Sequence, residues 1–114
     1  MANEESVQAT RPEPVRLTAK EREILKLLIG HGADMYGLEM VARSEGRLSR
    51  GSIYVLLDRL EERGLVSSRL EERAPGMSGI ARRLYRPTGY GRRVFQLWEE
   101  LQGLAPTSLA PDMA

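Results

Sequence analysis

Arg50, Ser52 and Tyr54 open a segment whose residue types suit contact with a nucleic acid: Ser-Arg-Gly-Ser-Ile-Tyr-Val-Leu-Leu-Asp-Arg-Leu-Glu-Glu-Arg-Gly-Leu, residues 49–65. A guanidinium can fork onto a guanine edge or a phosphate, and hydroxyls reach phosphate oxygens. Gly51 early in a helix costs about 1 kcal/mol against alanine. That choice makes sense where a backbone must approach a partner closely, although a plain helix-start glycine fits the position too. Tyr54 likewise has two readings, a phosphate contact or a core residue. Behind these residues, Ile53, Leu56, Leu57 and Leu60 recur at i, i+3, i+4 and i+7, the buried stripe of a helix. Ser49 is the expected N-cap and Arg63 the approximate end. Gly64 fits a left-handed stop, with Leu65 as its apolar companion.

Other elements must hold this helix. Thr18-Ala19-Lys20-Glu21 has the form of a capping box. Ile24, Leu25, Leu27, Leu28 and Ile29 then predict a first helix, stopped by Gly30 and Gly32 with His31 as a turn residue. A second, shorter helix is expected over Tyr36–Arg43, with Leu38, Val41 and Ala42 inward. Ser44-Glu45-Gly46-Arg47 reads as a turn. Leu65–Glu71 and Arg82–Pro87 are strand candidates joined by the turn-rich residues 72–79. Thr88 can cap a last helix from Gly89 to about Leu104. There Val94, Leu97, Leu101 and Leu104 form a seam flanked by Phe95 and Trp98. Two heptads are too few for a free coiled coil, so this helix must pack on something larger. Residues 1–15 read as a disordered N-terminal arm and residues 105–114 as a frayed tail.

Charge is distributed unevenly. Residues 43–93 hold twelve arginines against six acidic residues, a balance of +6, so the flanks carry −5 of the total of +1. Several of these arginines have candidate acidic partners nearby, Arg59 and Arg63 with Glu62 among them. With one histidine and no cysteine, the chain offers no metal-ligand spacing, disulfide or thiolate chemistry. It lacks a phosphate-cradling glycine loop, and its adjacent acid pairs do not face one another on helices. An enzyme, a bound metal and a cofactor are therefore not expected. Neither a membrane span nor a signal peptide is visible, which makes the cytoplasm the default location.

Three helices followed by a hairpin is the order of a winged helix-turn-helix: mainly α with a small β-hairpin, residues 16–87, and a C-terminal helix over 88–104. In this arrangement the third helix enters the major groove of double-stranded DNA and the hairpin tip forms the wing. Arg73, Arg82 and Arg83 flank that wing, within reach of neighbouring phosphates or the minor groove.

Tyr36-Gly37-Leu38-Glu39-Met40, Gly51-Ser52-Ile53-Tyr54, the run Arg59–Val66, and Arg82–Thr88 with Gly91 resemble the PadR family of bacterial transcriptional regulators over about residues 18–102. The chain departs from the family pattern at Val55, where proline is common, at Leu84 and Pro87, and in the wing. Pro87 is expected at a strand end. The resemblance implies a winged-helix homodimer of the short subfamily, most often a repressor released by a small molecule or cellular signal. It places Tyr36 near DNA beside Arg50, Ser52 and Tyr54. It assigns the last helix, hence Val94, Leu97, Trp98, Leu101 and Leu104, to the dimer. Trp98 falls where some short members stack planar aromatic effectors, and it can equally be seam filler. Such a dimer would bind a pseudo-palindromic operator. The alternative is a winged helix that binds proteins, for which the acidic arm and Glu99–Glu100 would suit a basic partner.

Overall fold

The computed structural model describes residues 16–72 and 82–113, with side chains to residue 103. The arm 1–15, the wing tip with Arg73, and the side chain of Leu104 lie outside the described residues.

Helix α1 spans Ala19–His31. Its start is the expected capping box: Thr18 Oγ1 accepts from the Glu21 N–H at 3.1 Å, and Glu21 Oε1 accepts from the Thr18 N–H at 2.9 Å. The helix runs through Gly30 and His31 and turns only at Gly32, which takes φ 77° and donates to the Leu28 carbonyl. Gly30 is thus not a stop, nor His31 a turn residue, because only Gly32 adopts the left-handed conformation that closes a helix.

A two-residue strand that the sequence did not announce, β1 (Met35–Tyr36), leads into helix α2 (Gly37–Arg43). Tyr36 precedes α2 as its N-cap, and its N–H donates to Glu39 Oε1 at 3.2 Å. The buried positions of α2 are Gly37 and Met40; Leu38, expected inward, is 43% exposed, and Ala42 is exposed as well. The Tyr54 ring lies on Gly37.

Helix α3 is Ile53–Glu62, with Ser52 rather than Ser49 as N-cap. Ser49 contributes its carbonyl, which accepts from the N–H groups of Ser52 (3.3 Å) and Ile53 (3.0 Å), so residues 50–52 form a lead-in turn. The stripe Ile53, Leu56, Leu57 and Leu60 is buried as its spacing predicts. At the far end Gly64 (φ 77°) donates to Glu61 and Leu65 donates to Leu60, both at about 3 Å, the paired bonds of a Schellman stop.

Strands β2 (Val66–Leu70) and β3 (Arg83–Pro87) form the expected hairpin, and β1 joins the other edge of β3, giving the antiparallel order β1-β3-β2. Pro87 is the last residue of β3, opposite Val66, where a missing N–H costs the ladder little. Tyr85 and Val66 turn to the core with α1 and α3.

Helix α4 spans Gly89–Met113 and begins at Thr88, whose Oγ1 accepts from the Gly91 N–H at 2.9 Å. It continues past the expected end at Leu104, and residues 105–113 are helical rather than a frayed tail. The prolines at 106 and 111, which suggested fraying, lie within this span, and each removes one backbone donor from the helix. Val94, placed by sequence in a dimer seam, is 8% exposed and belongs to the hydrophobic core of the chain itself. Phe95 and Trp98 pack partly against that core, whereas Leu97 and Leu101 are 53% and 51% exposed.

Candidate nucleic-acid interface

The N-terminal end of α3 is a protruding polar corner. Ser49, Arg50 and Gly51 are exposed, and the Ser49 and Ser52 hydroxyls bond each other at 2.9 Å. Tyr54 is 44% exposed, not a core residue. Its ring rests on Gly37, where an added Cβ would come 2.7 Å from Tyr54 Cε1. The first turns of α2 and α3 are therefore keyed together by one glycine and one tyrosine. Ser52 and Tyr54 lie at the start of α3 with the exposed Arg50 just before them, while the Tyr36 side chain turns to Glu71 and Arg82.

Most of the other arginines are occupied. Arg43 pairs with Glu39 (3.8 Å), Arg47 with Glu23 (3.7 Å), Arg63 with Glu21 (3.3 Å) and Arg82 with Glu71 (3.5 Å). Arg69 and Arg86 share Asp34, at 3.0 and 3.3 Å. Among the described residues, no ion pair includes Arg50 or Arg59. The pairs expected between Glu62 and Arg59 or Arg63 do not form. Arg63 instead bridges to the buried Glu21 of α1, a stronger site because the carboxylate is shielded from water.

The base of the wing is organised by Glu71. Its Oε2 accepts from the Tyr36 hydroxyl at 2.7 Å, and the Arg82 guanidinium lies 4.1 Å from the centre of the Tyr36 ring. The hydrogen bond to the Glu71 carboxylate, aided by burial, pushes the Tyr36 phenol above its ordinary range despite the opposing Arg82 charge. Tyr36 thus sits beside the corner with its proton committed to the wing, unlike Tyr54. Arg82, just before β3, turns to Glu71 and Tyr36, whereas Arg83 turns to Ser68. Arg83 donates to Ser68 Oγ at 3.0 Å, and Ser68 in turn donates to Glu61 of α3. The structure therefore does not bring Arg82 and Arg83 together; Arg73 lies outside the described residues.

Asp34 joins the loop after α1 to both wing strands. Burial alone would raise its pKa, but hydrogen bonds and charge from Arg86 and Arg69 outweigh that and hold it below the ordinary value. A carboxylate with a lowered folded-state pKa contributes stability that is complete above its unfolded value of about 4 and is lost as pH falls through the folded one. Asp34→Asn is expected to cost about 1 kcal/mol at neutral pH, since both arginines are half exposed. In urea titrations its deficit against the wild type should hold constant down to about pH 4 and close below it.

On α4, the Arg22 guanidinium lies 4.9 Å from the Trp98 ring centre. Two open cavities occur elsewhere. One of about 250 Å³ is lined by Ser67, Ser68, Arg69, Leu84 and Arg86, and one of about 310 Å³ lies between Gly32–Asp34 and Arg92. Trp98 lines neither.

A helix pair presenting the N-terminus of its second member beside an antiparallel wing defines a winged helix-turn-helix DNA-binding protein. Residues 24–97 match the PadR-like family of transcriptional regulators, and the chain belongs to that family. It is therefore a DNA-binding transcriptional regulator and not an enzyme. A PadR family regulator from Clostridium difficile superposes with a TM-score of 0.70 at 21% identity, over 85% of this chain and 100% of that one. A PadR-like transcription factor from Bacteroides fragilis gives 0.62 at 28% identity, over 82% and 88%. The PcaV transcriptional regulator from Streptomyces coelicolor, solved with its natural ligand, gives 0.61 at 24% identity, over 96% and 72%. No curated protein matches the sequence. Among the described residues, no helix is long and apolar enough to cross a membrane.

Sequence reasoning missed Gly37 as the seat of Tyr54, and Glu71 as the link between Tyr36 and the wing. The first left a trace: Gly37 opens a short helix where no turn requires glycine. The second left none, because its partners are far apart along the chain.

Proposed function

We propose that the chain acts as a cytoplasmic homodimeric repressor that reads a pseudo-palindromic operator and is released by a small-molecule or cellular signal. The observation that carries this reading is Arg50. It stands exposed just before the first turn of α3 and, among the described residues, joins no ion pair; Arg59, Arg83, Arg92 and Arg93 join none either but lie away from that turn, and six other arginines of the window are paired with carboxylates. The exposed leucines 97 and 101 support a second copy packed along α4, since burying the exposed half of each would contribute about 1 kcal/mol. Two copies related by a dyad would set their α3 helices on half-sites about 10 bp apart or a multiple of it. Trp98, half-buried beside that surface, is the proposed stacking contact for a planar aromatic effector. A neighbouring fold solved with its natural ligand supports such a role in general terms.

Fluorescence-anisotropy titration onto the DNA upstream of the protein's own gene, beside a scrambled duplex and at two salt concentrations, tests the reading. The native duplex should bind more tightly, with affinity falling steeply as salt rises. Arg50→Ala should remove about 1–3 kcal/mol from the native duplex and less from the scrambled one. Planar aromatic compounds should release the native complex. Equal loss on both duplexes would make Arg50 a phosphate contact. Equal binding of the wild type to both, with no salt dependence, would favour a protein partner.

A further inference from the structure

We infer that Val55 is the side chain with which α3 reads a thymine, through the 5-methyl group in the major groove; this rests on the DNA-reading role proposed above. The buried stripe of α3 fixes which positions face outward. With Ile53, Leu56, Leu57 and Leu60 turned to the core, Val55, Asp58 and Glu62 lie on the opposite side, and the exposed Gly51 sits in the turn that leads into the helix. Val55 is 51% exposed. Its isopropyl group adds nothing to the core, and a β-branched residue is a poor choice for an exposed helix position on propensity alone. Polar groups surround it: Arg50 and Ser52 before it, Tyr54 beside it, Asp58 and Arg59 after it.

Along the chain, a lead-in position with no side chain is followed by a small apolar outward one and then by acids. Nothing lies within 4 Å of where a Gly51 Cβ would stand, so this glycine is not demanded by the protein's own packing. Its bareness lets the helix come close enough for a short side chain to touch a base edge. Asp58 and Glu62 repel phosphates and keep the C-terminal half of the helix away, so contact is made by the first turn and a half, where Val55 is the outward group. Valine makes no hydrogen bond. Among the groups that base pairs display in the major groove, the thymine methyl is the apolar one.

The test uses the full chain and an operator selected by it from a randomised duplex pool. In the selected duplex, each thymine is replaced in turn by deoxyuridine, which removes only the methyl. One thymine per half-site should weaken wild-type binding about four-fold when replaced, the effect of one buried methyl. Val55→Ala, which folds normally because the position is exposed, should bind the thymine duplex about four-fold more weakly and lose its sensitivity at that position alone. Arg50→Ala should bind more weakly while keeping the sensitivity. Full thymine discrimination in Val55→Ala, or no sensitive thymine in the wild type, overturns the inference while leaving sequence-specific binding in place. A pool that yields no consensus overturns the sequence-specific reading itself, and this inference with it.

Discussion

Gly91→Ala is expected to destabilise the domain by about 3 kcal/mol and to lower its thermal midpoint by roughly 12–20 °C. Gly91 lies in the first turn of α4, against the end of the segment that follows α3. A Cβ there would stand 2.0 Å from the Leu65 carbonyl oxygen, 2.9 Å from its carbon and 3.2 Å from its Cα. These are backbone atoms and cannot rotate aside. Leu65 is pinned by its N–H bond to Leu60 and by its fully buried side chain. Relief must come from lifting α4, and that breaks its moorings: the Thr88 N–H bond to the same Leu65 carbonyl (3.1 Å) and the Thr88 hydroxyl bond to Gly64 (2.6 Å). Circular-dichroism melts would measure the loss. Two other glycine substitutions serve as controls. Gly89→Ala meets only the end of Arg93 at 3.7 Å and should change little. Gly30→Ala, helical with nothing within 4 Å, should gain about 0.5–1 kcal/mol. A neutral Gly91→Ala would mean that α4 is not seated on Leu65.

The contrast between these glycines shows what was legible in the sequence. Thr18 with Glu21, the stripe Ile53–Leu60, Gly64 and Thr88 are local signals, in which the group that needs satisfying and the group that satisfies it lie within about a turn of one another. All were readable, and with the hairpin they were enough for the winged-helix order. Gly37 and Gly91 are glycines for a different reason: each is crossed by residues from a distant part of the chain, Tyr54 in one case and Leu65 in the other. The charges divide in the same way. The basic window was countable, but which of its arginines are free was not, because their partners are remote; Asp34 and Arg86 are separated by 52 positions. The Arg63–Glu62 pairing suggested by adjacency lost to Glu21, which is buried and 42 positions away. The corner of the interface was thus visible as a list of residues, and its geometry came only from the packing of α2 on α3.

That packing makes Gly37→Ala an expected loss of function rather than of fold. The added Cβ would lie 2.7, 2.9 and 3.0 Å from Tyr54 Cε1, Cζ and Oη. Unlike Leu65, these atoms are the far end of an exposed side chain, so Tyr54 can swing away at a cost of about 1 kcal/mol. Alanine's better helix propensity returns part of that cost. The midpoint should therefore move by only a few degrees. The hydroxyl of Tyr54, however, leaves the position it holds beside α2. If it bonds a DNA phosphate there, a charge-assisted bond disappears and affinity should fall about ten-fold. Tyr54→Phe removes the same bond without moving the ring and should lose a similar amount. The double substitution decides the mechanism: if Gly37 acts only by seating Tyr54, Gly37→Ala in the Tyr54→Phe background costs little more, whereas additive losses would give Gly37 a DNA contact of its own. Binding titrations of the four proteins, each beside a thermal melt, separate these outcomes, because the ring is displaced in one single variant and the hydroxyl is absent in the other.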